Sequence, residues 1–168
     1  MGEQSDSDEA KDRGEAKDRG EAPGGALGTW FAFFNEIGIL HQLSRTLFEA
    51  RLPDGMNLPH FSVLNHLIRV RDGQTPRALA AAFQVPKTSM THTLAGLEAR
   101  GYVAMRANPE DGRSKQVWIT ESGRAFRNEA IARLSSDVEA IAGAIDTTRV
   151  EAVLPLLTEV RRWLDENR

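Results

Sequence analysis

The side chains best placed to do chemistry lie between positions 75 and 120, and they are hydroxyls and cations rather than catalytic groups. Thr88, Ser89 and Thr91 share one short segment, and Arg113 and Lys115 follow in a turn-rich segment. Hydroxyl and cationic groups bind phosphate oxygens and base edges through hydrogen bonds and charge. This combination indicates recognition of a polyanion such as nucleic acid.

Two short helices must position the hydroxyl-bearing segment. Thr75-Pro76 is typical of a helix start, with a hydroxyl cap followed by proline at the first helical position. A short break at residues 84–86 precedes a second helix over about 87–100, and Gly101 is suited to end it. Two such helices joined by a tight turn form a helix-turn-helix. Apolar residues at helical spacing mark the buried faces: Ala78, Leu79, Ala82 and Phe83, then Met90, Leu94 and Leu97.

A hairpin must position the cations. Apolar residues at 102–105 and 117–119 predict two strands, and residues 106–115 between them contain the turn dipeptides Asn-Pro and Asp-Gly. A helix-turn-helix followed by a basic hairpin is a winged helix. Its second helix suits the major groove of DNA, and the hairpin, or wing, reaches the flanking backbone or minor groove.

Three motifs follow one another along this stretch. Leu97-Glu98-x-x-Gly101-Tyr102-Val103 ends the second helix, Asp111-x-Arg113 is followed by five residues and Ile119-Thr120, and Gly123 comes three residues later. Together they resemble the MarR family of bacterial transcriptional regulators, with Ile119 where the family has leucine. The resemblance implies a mainly α fold with a small β-wing: a winged helix-turn-helix with N- and C-terminal dimerisation helices. It also implies a homodimeric repressor released by a small aromatic ligand.

Three positions depart from the family pattern. Gln84 stands where a turn glycine is common, and a left-handed backbone there costs about 1–2 kcal/mol. Pro86 replaces a capping serine, and His92 replaces an arginine on the second helix. Because histidine and arginine do not bind the same base edges equally well, His92 alters the expected base preference.

The residues that we predict to contact double-stranded DNA fall into two groups. The exposed face of the second helix supplies base recognition, from Thr88, Ser89, Thr91 and His92. The remaining contacts come from Thr75, Arg77, Lys87, Arg113 and Lys115. Asp111 is expected to structure the wing by holding the Arg113 guanidinium. The site needs no cofactor and no metal.

The charge distribution agrees with this assignment although the chain has a net charge of −3. Residues 1–25 hold eight acidic and four basic residues, whereas residues 76–124 hold seven basic and four acidic ones. The local sign matters more for DNA binding than the overall balance. There are no cysteines, no apolar run long enough to span a membrane, and no apolar signal-peptide core, so we expect a cytoplasmic protein without membrane contact.

The flanking segments complete the predicted organisation. Residues 1–25, with the tandem repeat EAKDRG, form a disordered acidic tail, which is either inert or competes with DNA for the basic face. Residues 26–168 form a single unit, with dimerisation helices over 29–50 and 121–167 around a DNA-binding domain over 58–120. We expect one continuous helix over 121–145 and a last helix that a Thr148-x-x-Glu151 capping box opens and Pro155 kinks or breaks.

The first flanking helix carries more aromatic surface than a single core can cover, with four aromatic residues in positions 30–34. Packing against a second copy in a homodimer is one interpretation. The other is a pocket for a small aromatic effector, between the terminal helices and the winged helix. The residues predicted to line it are Trp30, Phe34, His41 and Phe61.

Two other classes of function remain as alternatives. A winged helix that binds a protein rather than DNA would not need cations on its wing, so salt-dependent binding to duplex DNA discriminates between the two. An enzyme is disfavoured because the chain has no cysteine, no glycine-rich phosphate loop and no histidines at metal-binding spacing. His60 and His66, six residues apart, do not share a helix face as metal ligands four apart would.

Overall fold

A computed structural model describes residues 24–167. The tail predicted over residues 1–25 therefore lies outside the described residues, apart from Gly24 and Gly25. The described chain forms helices α1 (Gly25–Glu49), α2 (Leu58–Arg69), α3 (Pro76–Ala82) and α4 (Lys87–Ala99), strands β1 (Val103–Asn108) and β2 (Asp111–Ile119), and helices α5 (Glu121–Ala132), α6 (Ser135–Ala144) and α7 (Thr147–Glu166). No helix within these limits has the length and apolar character of a membrane span.

The chain divides into two compact units, with the boundary between His41 and Gln42, inside α1. In the first unit, the described residues are the first part of α1. Its aromatic side chains pack on one another: the Trp30 and Phe34 rings stack with centroids 5.9 Å apart, and Phe33 meets Trp30 edge-on at 5.5 Å.

The second unit contains the winged helix and its core. Asn57 caps α2, because its side chain accepts the N–H of His60 while the His60 ring accepts the N–H of Asn57. The most deeply buried side chains come from α2, α3, α4 and β2: Val63, Leu64, Leu67, Leu79, Leu94, Leu97 and Val117. These helices and the hairpin therefore share one core, and the predicted winged helix-turn-helix is confirmed.

The wing is an antiparallel pair with a third, very short strand beside it. Val103 faces Ile119 and Met105 faces Val117 across the pair, and the register shifts between Ala107 and Asn108. On the other side of β2, Gln74 forms an isolated bridge with Val117. The segment before α3 therefore pairs with the wing and joins it to the helix-turn-helix.

The C-terminal helices differ from the sequence prediction at three points. The continuous helix over 121–145 is wrong: α5 ends at Ala132, the N–H of Leu134 bonds the carbonyl of Ile131, and α6 begins at Ser135. This tighter i−3 bond interrupts the α-helical pattern. Asp137 on α6 then forms a bidentate ion pair with Arg51, at 2.6 and 2.8 Å, which fastens α6 to the segment after α1.

The capping box predicted for the last helix is also wrong. Asp146, not Thr148, caps α7, because the Asp146 carboxylate accepts the N–H of Thr148 at 2.9 Å. Of the two outcomes predicted for Pro155, a kink or a break, the break does not occur, because the helix runs on to Glu166. Proline removes one backbone bond and clashes with the carbonyl four residues before it, but its fixed φ is itself helical, so a long helix can accommodate it.

Candidate nucleic-acid interface

The first helix of the helix-turn-helix begins as the sequence predicts. The Thr75 side chain caps α3 by accepting the N–H of Ala78 at 3.2 Å, and Pro76 occupies the first helical position. Leu79 and Ala80 are buried, whereas Arg77 is exposed. The Thr75 hydroxyl therefore has a structural role as the acceptor of this cap, and its contact with DNA stays a prediction.

The turn between the two helices adopts a strained conformation at Gln84. Its φ is +52°, in the left-handed region that glycine occupies without strain, and it is the only non-glycine residue with positive φ among residues 24–167. The N–H of Val85 bonds the carbonyl of Ala80 at 3.1 Å and closes the turn. The tight turn therefore forms without glycine, at the cost of backbone strain.

Helix α4 presents its predicted polar residues to solvent. Met90, Leu94 and Leu97 form its buried face, and the exposed residues on the other side are Lys87, Thr88, Ser89, Thr91 and His92. Pro86 precedes the helix and provides no side-chain cap. The helix therefore offers hydroxyl and imidazole groups to a ligand along its first two turns.

The tip of the wing places Arg113 and Lys115 in solvent. Asp111 does not hold the Arg113 guanidinium in this structure: its Oδ1 accepts the backbone N–H of Arg113 at 3.1 Å. A carboxylate bonded to the N–H two residues ahead forms an Asx turn. Asp111 thus shapes the backbone from which Arg113 projects, rather than its side chain.

Asn108 organises the wing and was not recognised from the sequence. It is 9% exposed, and its Nδ2 donates to Ser114 Oγ at 2.9 Å. Its Oδ1 accepts the N–H of Glu110 at 3.1 Å and the Nε2–H of Gln116 at 3.2 Å. The Asn-Pro dipeptide predicted only a turn, because nothing in its spacing shows that the amide bonds both sides of the hairpin.

The last motif, Thr120-x-x-Gly123, lies at the root of the wing, and its contacts there explain its residue types. Thr120 caps α5 by accepting the N–H of Gly123 at 3.0 Å, and its hydroxyl donates to the carbonyl of Gly101 at 2.6 Å. A Cβ at Gly123 would collide with the carbonyl oxygen of Tyr102. The motif therefore joins the end of α4, the start of the wing and the start of α5.

His60 lies beneath α4. The residue is 8% exposed, and a Cβ at Gly96 would come within 2.6 Å of the His60 Nε2. Burial lowers the pKa of His60 below its ordinary value of 6.5, and the charges of Arg100 and His92 lower it further. His60 is therefore a neutral packing and capping residue, and it contacts the backbone of α4 where a side chain at position 96 would not fit.

The four residues predicted to line an effector pocket have different surroundings. Trp30 and Phe34 are 47% and 44% exposed, and His41 is exposed as well. Phe61 is half-buried, and its ring packs against Phe48 with centroids 4.5 Å apart. The first three belong to the first compact unit and Phe61 to the second.

Comparison with known proteins agrees with this architecture. The model of the MarR family matches residues 54–114, from the loop before α2 to the wing, and the resemblance found in the sequence is confirmed. The regulator BldR from Sulfolobus solfataricus aligns with a TM-score of 0.71 and 23% identity, over 83% of this chain and 99% of its own.

Two further regulators have the same fold. A MarR transcriptional regulator from Methanosarcina mazei Go1 aligns with a TM-score of 0.68 and 22% identity, over 80% of this chain and 98% of its own. One from Rhodococcus sp. RHA1 aligns with a TM-score of 0.66 and 24% identity, over 82% of this chain and 97% of its own. At these identities the similarity is one of fold.

Proposed function

We propose, from the MarR-family winged helix that this chain carries, that the protein is a sequence-specific regulator of transcription that binds double-stranded DNA as a homodimer. The observation that carries the proposal is the exposed polar face of α4 combined with a wing whose tip presents two cations. In a winged helix these are the two elements that meet the major groove and the adjacent backbone or minor groove.

Base recognition falls to α4. Thr88, Ser89, Thr91 and His92 are exposed, so their side chains can reach base edges once the helix lies in the groove. The Thr91 hydroxyl donates to the carbonyl of Lys87 at 2.9 Å, which leaves its oxygen free to accept from a base amino group. His92 is the residue that we assign to preference at one base position.

The backbone contacts fall to cations and to helix starts. Arg113 and Lys115 extend from a turn that Asp111 and Asn108 hold in shape, and Lys87 and Arg77 are exposed on α4 and α3. Such contacts position a protein on DNA but carry little base information. They also release counterions, so each makes binding more sensitive to salt.

The deciding experiment first selects bound duplexes from a random pool and then compares three variants on the selected site. Arg113→Ala should weaken binding to selected and random DNA nearly equally and lower the salt slope by about one unit. His92→Ala should cost about 1–3 kcal/mol on the selected site only and relax preference at one position. Arg149 is an exposed arginine on α7, and Arg149→Ala is the matched control, which should change neither DNA affinity nor its salt slope.

Two results would contradict these assignments. Equal losses on selected and random DNA for His92→Ala would place His92 against a phosphate instead of a base. No salt-dependent binding of any duplex by the wild-type protein would remove the DNA-binding function and favour a protein-interaction module.

The homodimer is proposed from apolar surface that one copy leaves exposed. None of the described residues of α6 or α7 is buried. Many of the large apolar side chains on these helices and on α1 are 44–69% exposed, among them Leu27, Phe31, Leu43, Val138, Ile141, Leu154 and Trp163. Apolar surface of this extent marks an interaction site, and a second copy of the same helices would cover it.

Assembly has a direct test. Two winged helices related by a twofold axis should bind a pseudo-palindromic operator whose half-sites lie about 34 Å apart. Light scattering at micromolar concentration should give twice the mass of the chain, and a monomer under these conditions would contradict the proposed assembly.

A repressor role and an aromatic effector complete the proposal. The effector would contact exposed side chains of the first unit, Trp30, Phe34 and His41, and it releases DNA only if it binds the DNA-incompetent conformation more tightly. Transcription in vitro from a promoter that overlaps the selected site should fall when the protein is added and recover with an aromatic effector. If Trp30→Ala and Phe34→Ala change neither this recovery nor dimer stability, the effector does not bind these residues.

A further inference from the structure

The carboxylate of Asp72 contacts three separate segments of the winged helix. Asp72 lies in the loop between α2 and α3, and its Oδ1 accepts the N–H of Gly73 and the N–H of Ile119, both at 3.0 Å. Its Oδ2 lies 3.2 Å from an Nη of Arg124 on α5. One side chain therefore bonds the segment before the helix-turn-helix, the end of the wing and the following helix.

The bond from the Ile119 N–H to Asp72 takes the place of a backbone hydrogen bond that the neighbouring strand does not supply. Successive N–H groups along a strand point to opposite sides, and the Thr120 N–H points to β1, where the Tyr102 carbonyl accepts it at 3.1 Å. The N–H of Ile119 therefore points to the other edge of β2, as does that of Val117, which Gln74 accepts at 2.8 Å. No backbone carbonyl of the short third strand reaches Ile119, and the Asp72 carboxylate takes that place.

Gly73 shows how closely this third strand approaches the wing. Its φ is +70°, and a Cβ at this position would lie 2.5 Å from the ring of Trp118 on β2. The N–H of Gly73 also bonds the carbonyl of Val117 at 3.0 Å. The segment 72–74 is thus in direct contact with the wing on one side and leads into α3 on the other.

We propose that Asp72 is the positioning residue that sets the wing in place relative to the helix-turn-helix, by completing the sheet at Ile119. Without this acceptor the Ile119 N–H, at an 8% exposed residue, has no partner, and the root of the wing separates from the segment that leads into α3. Arg113 and Lys115 then no longer contact the DNA backbone when α4 lies in the major groove. The inference rests on the proposed DNA-binding function for this last consequence only.

The test measures DNA affinity and its salt slope for variants at position 72. Asp72→Ala should lose at least about tenfold in affinity, and its salt slope should fall by up to about two units, the number of wing cations involved. Asp72→Asn keeps an oxygen acceptor for Ile119 and should stay within about threefold of the wild type. Arg124→Ala removes only the partly exposed ion pair and should also stay within about threefold.

A double-mutant cycle separates wing placement from a general loss of stability. Once Arg113→Ala and Lys115→Ala have removed the wing contacts, adding Asp72→Ala should cost no more than about threefold further, because interacting changes are not additive. Full additivity would overturn the proposal, as would a loss for Arg124→Ala equal to that for Asp72→Ala. If Asp72→Ala does not fold, Asp72→Glu, which keeps the charge but displaces it, takes its place in the cycle with the same expectation.

Amide hydrogen exchange tests the geometry without DNA. The Ile119 amide should be protected in the wild type and in Asp72→Asn, and should exchange at least about tenfold faster in Asp72→Ala or Asp72→Glu, as for a weakened local bond. Unchanged protection in both of these variants would overturn the proposal. If the wild-type protein bound no duplex DNA, the proposed function would fail, and the exchange experiment alone would decide whether Asp72 holds the wing.

Discussion

The substitution Gly123→Ala tests the packing at the root of the wing with a single methyl group. Gly123 is the third residue of α5, where alanine would ordinarily be the better helix former by about 1 kcal/mol. The added Cβ would collide with the carbonyl oxygen of Tyr102 and lie 3.0 Å from Cγ1 of Ile119. The structure therefore predicts that Gly123→Ala destabilises the protein, whereas helix propensity alone predicts that it stabilises it.

The size of the expected loss in stability depends on the groups that must move to admit the new methyl group. The Tyr102 carbonyl accepts the N–H of Thr120 at 3.1 Å, so withdrawing it breaks a backbone bond of the wing, worth about 1 kcal/mol. Overpacking a close contact costs about 1–3 kcal/mol, and the gain in helix propensity offsets about 1 kcal/mol. We expect Gly123→Ala to lower the free energy of unfolding by about 1–3 kcal/mol.

Urea unfolding followed by circular dichroism measures this difference. All variants are compared at one protein concentration, because the stability of a dimer depends on concentration. Gly143→Ala on α6 is the matched control: nothing lies within 4 Å of its added Cβ, so it should raise stability, by up to about 1 kcal/mol. Wild-type or higher stability for Gly123→Ala would refute the close contact with Tyr102.

Three further changes have expected signs. Gln84→Gly relieves a left-handed backbone conformation that costs about 1–2 kcal/mol, but it makes the unfolded chain more flexible, which costs about 0.4–1 kcal/mol. Urea unfolding should therefore show a free energy of unfolding higher by about 1 kcal/mol, and a lower value would contradict the strain at Gln84. His60 has a folded-state pKa below 6.5, so the unfolded chain binds more protons and wild-type stability falls as pH drops below about 6.5. His60→Gln should flatten that part of the stability curve, measured by unfolding at a series of pH values, and an unchanged slope would mean that His60 does not cause it. Asn108→Ala leaves the Glu110 N–H without its acceptor and removes the amide N–H that donates to the Ser114 oxygen, so it should cost about 1–3 kcal/mol and speed proteolysis of the wing. An unchanged cleavage rate would show that the amide does not hold the wing together.

Local features of the fold follow from the sequence because their causes are local. The Thr75 cap, the proline after it and the buried stripe of α4 depend on neighbours within about four residues, and each occurs where the sequence predicts it. Gly101 has the positive φ of +70° expected of a glycine after a helix. The order of helix-turn-helix, wing and following helix was therefore predictable, and with it the polar face of α4 and the cations at the tip of the wing.

The end of α5 shows where local patterns fail. The apolar spacing over 121–145 is helical throughout, but one i−3 bond at Leu134 divides the segment, and Asp137 pairs with Arg51, 86 positions away in the chain. Asp146 likewise competes with Thr148 as the cap of α7, and both are good capping residues by type. Spacing alone cannot choose between such alternatives, because their energies differ by less than tertiary contacts contribute.

By itself, the sequence determined the order of helix-turn-helix, wing and following helix, the polar face of α4 and the exposed cations of the wing. The tertiary structure alone decided which residues hold those segments in register: Asp72 bonds Ile119 from 47 positions away, Asn108 bonds across the hairpin, and Tyr102 excludes any side chain at position 123. A hydrogen bond or a steric contact needs two groups within about 3 Å, and the distance between residues far apart in the chain is fixed only by folding.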